Sequence, residues 1–208
     1  MAGAAGNVGS ALVTMAARAG ARVLAAAGAR DSSCCEQSGA AEVFDYRDPD
    51  LPGRLRGAAP SGVDLYPDTA GVNDLETSVG LLARRGRVVL LAGAGTRPVL
   101  PAGPLYMNDR SVVGFVISHA TPGELAGAAE CINDLLGRDA LPPRCIEVLP
   151  LGAAGEVHAR LERGSSAAGA RSCGRTLPPP PDGVRPRVPG RRIVRRPGRP
   201  PVWEPIFT

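Results

Sequence analysis

An α/β fold built on a doubly wound parallel sheet is what this 208-residue sequence predicts, on three observations. Helical and strand-like apolar patterns alternate from Gly3 to about Gly164, as they do where each strand returns to parallel through a crossover helix. The runs Arg22-Val-Leu-Ala-Ala-Ala27 and Arg87-Val-Val-Leu-Leu-Ala92 show no polar alternation, the mark of strands covered on both faces. A glycine turn, Gly3-Ala-Ala-Gly-Asn-Val-Gly9, opens directly into the first helical pattern.

Taken in order, the elements are these. Leu12, Val13, Ala16 and Ala19 fall at helical spacing after the glycine turn, and Gly20 is a helix stop. The strand at 22–27 is followed by a helix from Ser32 to Ser38, stopped at Gly39, and by a short strand Glu42–Asp45. A helix near Leu51–Leu55 leads to a strand Val63–Tyr66, which Pro67 is expected to limit because proline cannot donate to a ladder. Leu75–Leu82 reads as a helix, Arg87–Ala92 as the clearest strand and Ser111–Ile117 as another. Thr121-Pro122 opens a helix in the favoured order, cap then proline, that runs to about Leu136. Cys145–Leu149 is extended and Gly155–Glu162 is the last helix.

The glycines define a binding chemistry. An anionic pyrophosphate sits well against a helix N-terminus, where unpaired backbone N–H groups point outward. Gly3 makes the tight turn, Gly6 lets the backbone approach the phosphates and Gly9 lets the helix pack closely, with Asn7 and Val8 in the same main-chain cradle. An NAD-preferring site places an acid at the end of the second strand, but here stands Ala25-Ala-Ala-Gly28. Arg30 follows Gly28 and can fork onto a 2′-phosphate, partly neutralised by Asp31. This favours NADPH, with a solvated surface role for Arg30 as the alternative. Ligands in open α/β sheets bind beyond the carboxyl ends of strands, which is where Thr69 and Gly93 fall; both could equally be ordinary turn residues.

Bulk composition narrows the rest. The chain is 44% hydrophobic but only 3% aromatic, so its core is aliphatic. No apolar run approaches the ~20 residues of a membrane span, and no charged start precedes an apolar block at the N-terminus. A cytoplasmic protein without a membrane partner is expected. Five cysteines without a C-x-x-C pair and two histidines supply no metal-ligand spacing, so no metal is expected.

Residues 1–169 form the expected nucleotide-binding domain, and residues 170–208 a disordered tail. Residues 165–208 carry nine arginines against Asp182 and Glu204, and Pro178 through Pro181 stand together. The basic residues are all arginine, and the tail's composition matches translation of GC-rich DNA in a shifted frame. A tail so basic would touch nucleic acid only nonspecifically; stacking aromatics are not interleaved among its arginines, so specific nucleic-acid binding is not expected.

In these stretches the chain resembles the nucleotide-binding half of the medium-chain dehydrogenase/reductase superfamily, within it the quinone oxidoreductases of the zeta-crystallin type. The similarity rests on Gly3–Gly9, Gly39–Arg47, Val63–Gly71, Gly86–Gly93 and Leu149–His158, in family order and spacing. It implies a Rossmann-type sheet of order 3-2-1-4-5-6 whose first strand is reduced here to Met1-Ala2, with the N-terminal substrate domain absent. It implies NADPH-dependent hydride transfer to quinones or related electron-poor carbonyl compounds such as enones, usually without zinc, and no catalytic acid or base. By the same resemblance Ser32 stands where relatives often carry a 2′-phosphate lysine, Tyr46 matches a tyrosine at that phosphate, and Phe115 lies in the Gly114–Ile117 stretch beside the nicotinamide. The edge strand Ser111–Ile117 could pair two copies into a homodimer. The alternatives are a non-catalytic NADPH-binding module and an inactive truncated fragment.

Overall fold

The computed structural model describes residues 1–142, 146–163 and 170–173. In chain order the elements are α1 (Asn7–Arg18), β1 (Leu24–Ala27), α2 (Ser32–Gln37), β2 (Glu42–Asp45), α3 (Leu51–Ala58), β3 (Val63–Asp68) and α4 (Leu75–Gly80). Then come β4 (Leu82–Leu90), α5 (Ala102–Tyr106), β5 (Ser111–Gly114), α6 (Pro122–Gly137), β6 (Ile146–Leu149), α7 (Ala154–Glu162) and β7 (Ala170–Cys173).

All strand pairs are parallel. β1 pairs with β2, and β3, β4 and β5 pair in that order. Ala2 lies between the two groups, bridging Ala26 on one side and Asp68 on the other. The spatial order is therefore β2-β1-Ala2-β3-β4-β5, the Rossmann-type order with its central strand shortened to a stub. Met1 donates its amine to Leu24 O at 2.8 Å and accepts from Ala26 N at 2.9 Å. Ala2 donates to Pro67 O at 3.1 Å and accepts from Thr69 N at 3.3 Å.

Helices cover both faces, which is why β1 reads as an unbroken small apolar run. Val13 of α1 and Cys35 of α2 pack on Val23, Ala25 and Ala27. Leu55 of α3 packs on Leu24 and Phe44 from the opposite face. Alternation along the strand sends neighbouring residues to opposite helical layers. A third cluster joins Leu75 and Val79 of α4 to Leu82 and Val88 of β4.

Several elements differ from the sequence reading. β3 continues through Pro67 to Asp68, because the backbone of Pro67 faces Ala2 and not β4, so the missing N–H removes nothing from the β3–β4 ladder. β4 begins at Leu82, not Arg87, and stops at Leu90: Val63 pairs with Leu82 and Leu65 with Arg87, so residues 83–86 bulge out through Arg85 at φ 63°. Ala83-Arg-Arg-Gly86 reads as a turn by composition, which hid that start. β5 ends at Gly114, after which Phe115, Val116 and Ile117 are exposed. The short α5 carries no periodic signal in five residues and was not expected.

The helix predicted at Thr121-Pro122 carries a full capping box, the Thr121 hydroxyl and Glu124 carboxylate each accepting from the other's backbone N–H. β6 pairs with β7, so Ala170–Cys173, grouped with the tail by composition, forms a strand. Cys145 and the tail beyond Cys173 lie outside the described residues.

Burying the Met1 amine between two strands costs free energy, because the protonated form loses solvent. Its pKa drops from an ordinary 8.0 to about 6 through desolvation, opposed by the Asp68 carboxylate. Between those values the unfolded chain binds more protons than the folded one, so stability rises with pH from about 6 to about 8 and is lowest below 6. The effect is on the order of 2–3 kcal/mol. Urea unfolding at pH 5.5 and 8.5 should show it, and acetylation of the amine should remove that difference.

Candidate functional site

The parallel arrangement brings the carboxyl ends of the stub and of β1 through β5 to one edge of the sheet, where this class of fold binds ligands. The glycine turn stands at its centre. Gly3 has φ +70°, and a Cβ there would lie 2.6 Å from Thr69 Oγ1 and 2.9 Å from Ala70 N. A Cβ on Gly9 would lie 2.1 Å from Gly3 O, so the helix start packs against the turn at a distance only glycine allows. On Gly6 it would be 3.3 Å from the same carbonyl.

Gly6 is the N-cap of α1 and offers no side-chain cap; the first turn carries no acidic residue. The N-terminal N–H groups around Asn7, Val8 and Gly9 therefore present positive potential without a resident anion. Asn7 and Val8 begin the helix, and Val8 is exposed.

Thr69 is a clamp. Its hydroxyl sits 2.9 Å from Ala2 O and 3.2 Å from Gly3 O, donating to this carbonyl pair. The loop beyond it is held by Asp68, 4% exposed, whose carboxylate accepts from Ala70 N, Gly71 N and Asn73 N. Asn73 then joins this loop to the one after β4: its Nδ2 donates to Thr96 Oγ1 at 2.7 Å and to Ala92 O at 3.1 Å. Gly93, at φ +84°, is part of the same joint, since a Cβ there would meet Asn73 Nδ2 at 2.4 Å and Gly71 O at 2.5 Å. Asn73 is buried at φ 57°, and its Oδ1 has no partner among the described residues. An orphaned buried acceptor at the ligand edge of the sheet fits a site that receives a polar group.

At the other end, Gly28 closes β1 beside two residues that follow β2. A Cβ on Gly28 would lie 3.5 Å from Tyr46 Cε1 and 3.4 Å from Arg47 Nη1. Arg47 stacks on the Tyr46 ring at 4.6 Å, and Tyr46 is half exposed. Arg30 is exposed on the turn Ala29–Asp31 that begins after Gly28. Ser32 starts α2 and donates to Glu36 at 3.3 Å. Phe115 lies beyond β5, its N–H donating to Leu90 O, with 58% of its surface exposed.

All twelve residues singled out from the sequence thus sit in the turn, at a helix start or beyond a strand's carboxyl end. Two that matter here were missed, Arg47 and Asn73, while Asp68 opens the loop Asp68–Gly71 that the sequence places near the ligand. Arg47 directly follows Tyr46, and asparagine is the non-glycine residue most at ease at positive φ, so adjacency and turn chemistry held the signal for both. His119 and His158 are exposed, and no group of three or more His, Cys, Asp or Glu able to hold a metal occurs among the described residues.

The sequence profile of the zinc-binding dehydrogenase family matches residues 7–134, more than half of the chain. The chain belongs to that family. With its relatives it falls in the medium-chain dehydrogenase/reductase superfamily, as a C-terminal half of the quinone oxidoreductase group. Human quinone oxidoreductase is 26% identical over 169 residues, covering 80% of this chain and 51% of that protein. The Escherichia coli quinone oxidoreductase complexed with NADPH superposes with a TM-score of 0.69 at 25% identity, over 80% of this chain and 54% of that one. An NAD-dependent alcohol dehydrogenase gives 0.69 at 27%, over 82% and 49%. The chain spans about half the length of the relatives it matches.

The Asn73 joint is testable without any ligand. Asn73→Ala removes its hydrogen bonds and leaves a Cβ at positive φ, and should cost about 2–4 kcal/mol. Asn73→Gly loses the same bonds without the backbone strain and should be the milder change by about 1 kcal/mol. Denaturant unfolding of the two variants measures both.

Proposed function

We propose that this chain is the cofactor-binding part of an NADPH-dependent oxidoreductase that reduces quinones or related electron-poor carbonyl compounds. One observation carries the reading: an uncapped helix start behind a close-packed glycine turn, paired beyond β1 with Arg47 and Arg30, of which Asp31 offsets a part. The main chain of Gly6, Asn7, Val8 and Gly9 would hold the pyrophosphate. Arg47 and Arg30, with Tyr46 and Ser32, would hold the 2′-phosphate, and Gly28 leaves room for it. The loops locked by Thr69, Asn73 and Gly93 would support the nicotinamide half, with Phe115 covering it.

NADPH, when bound, supplies a hydride. The residues of this chain position the cofactor and exclude water; no acid or base among them is assigned to the chemistry. The reading carries a cytoplasmic location with it; no helix among the described residues is long and apolar enough to cross a membrane. The outer edge of β5, unpaired among the described residues and followed by exposed Phe115, Val116 and Ile117, is where a second copy would pair. Val113→Lys on that edge should shift a dimer toward monomer in sedimentation velocity.

Two measurements test the reading. Fluorescence titration should show NADPH binding more tightly than NADH. Arg47→Ala and Arg30→Ala should each weaken NADPH about ten-fold or more while leaving NADH nearly unchanged, the worth of a charge-assisted hydrogen bond. Gly9→Ala should abolish binding of both. Equal affinity for the two cofactors, unchanged by the arginine variants, would sink the NADPH assignment. A quinone-dependent oxidation assay then separates an enzyme from the second reading, a non-catalytic module: the module binds NADPH without consuming it.

A further inference from the structure

At the amino ends of β4 and β5, away from the glycine turn, the bulge that opens β4 is locked to the turn that precedes β5. Arg85 N donates to Asn108 O at 2.9 Å, and the Arg84 guanidinium donates from Nε and Nη2 to Asp109 Oδ2 at 3.2 and 3.0 Å. From the turn, Arg110 reaches back to the carbonyls of Ala83 and Leu82. Each loop carries a non-glycine residue in the left-handed region, Arg85 at φ 63° and Asp109 at φ 52°. Such backbone costs stability and persists only where the surrounding structure holds it.

This two-loop platform presents a definite chemistry. Tyr106 and Met107, which lead into the turn, are each 71% exposed. Arg85 is exposed on the bulge, and Arg87 is exposed opposite Ser111 in the β4–β5 register. Neither guanidinium has a hydrogen bond or ion pair among the described residues. Together with Arg84 and Arg110 they stand against two acids, Asp109 and Asp64, so the surface keeps a net positive charge. Arginine, tyrosine and methionine are the residues that protein interfaces favour, and a rigid platform loses little freedom on binding. Cofactor binding, at the opposite end of the sheet, uses none of them.

We propose that this platform docks an acidic peptide segment of a partner protein, one in which carboxylates flank an apolar residue. The apolar residue packs on Tyr106 and Met107, and the carboxylates pair with Arg85 and Arg87, whose planar forks match them. Charge complementarity selects this occupant. An apolar segment would leave both free guanidinium groups without partners. A nucleic acid fits less well, because Asp64 and Asp109 interrupt the positive surface that a run of phosphates needs, and Met107 offers no face on which a base could stack.

A random dodecapeptide library displayed on phage and panned on the full chain tests this. Enriched sequences should carry Asp or Glu on both sides of an aliphatic or aromatic residue. Fluorescein-labelled copies of them should bind saturably, and more weakly as salt is raised. Arg85→Gly is the decisive variant, because glycine accepts the left-handed backbone without strain. Its melting midpoint should hold or rise while peptide affinity falls about ten-fold or more, the loss of one charge-assisted pair. Tyr106→Ala should weaken the peptide comparably, and Arg56→Ala, on α3, should leave it unchanged. No enrichment of acidic sequences, or peptides indifferent to Arg85→Gly and Tyr106→Ala, would overturn the proposal. So would a mixed-sequence single-stranded RNA that displaces the peptide and binds more tightly. Peptide binding seen only in Val113→Lys would make the platform a contact between two copies, and would overturn it as well.

Discussion

The whole main sheet hangs on the backbone of two residues. β1 and β2 form one pair, β3 to β5 form another group, and Met1-Ala2 supplies the main-chain hydrogen bonds that join them. Everything at the ligand edge inherits its position from that join. Gly3 turns directly out of Ala2, Ala4 N donates to Ala26 O, and Thr69 reaches across to the carbonyls of Ala2 and Gly3. The glycine turn is thus tied to both halves of the sheet within four residues of its central strand.

The second tier of constraint is steric. Gly3, Gly9, Gly71 and Gly93 each sit where a Cβ would meet a neighbour at 2.9 Å or less. Close packing of this kind makes the loops rigid, and Asp68 and Asn73 finish the work by consuming backbone N–H groups and bridging two loops. Rigid loops lower the ordering cost of binding; the uncapped start of α1 suits an anion, and the unsatisfied Asn73 Oδ1 suits a hydrogen-bond donor.

Much of this was legible in the sequence. The glycine spacing, the all-small run at 24–27 and the Thr121-Pro122 start each encode local geometry through residues with few alternatives. What stayed hidden was set by tertiary context. Pro67 reads as a strand breaker until its backbone is seen to face the stub. Residues 83–86 read as a turn because their bulge exists only through the partner strand. Arg47 and Asn73 owe their roles to neighbours brought close by the sheet, Gly28 and Thr96, which no one-dimensional pattern reports. The exposed apolar side chains of α6, Leu125, Ile132 and Leu136, were legible as a helix but not as one left without cover.

The buried Met1 amine has a chemical consequence. The sequence has no lysine, so its single primary amine is that of Met1, which lies at the centre of the sheet, hydrogen-bonded to Leu24. An amine-selective acylating reagent has one target, reachable only when the sheet parts. The rate of such labelling therefore counts openings between its two halves, one event per molecule, with no engineered probe.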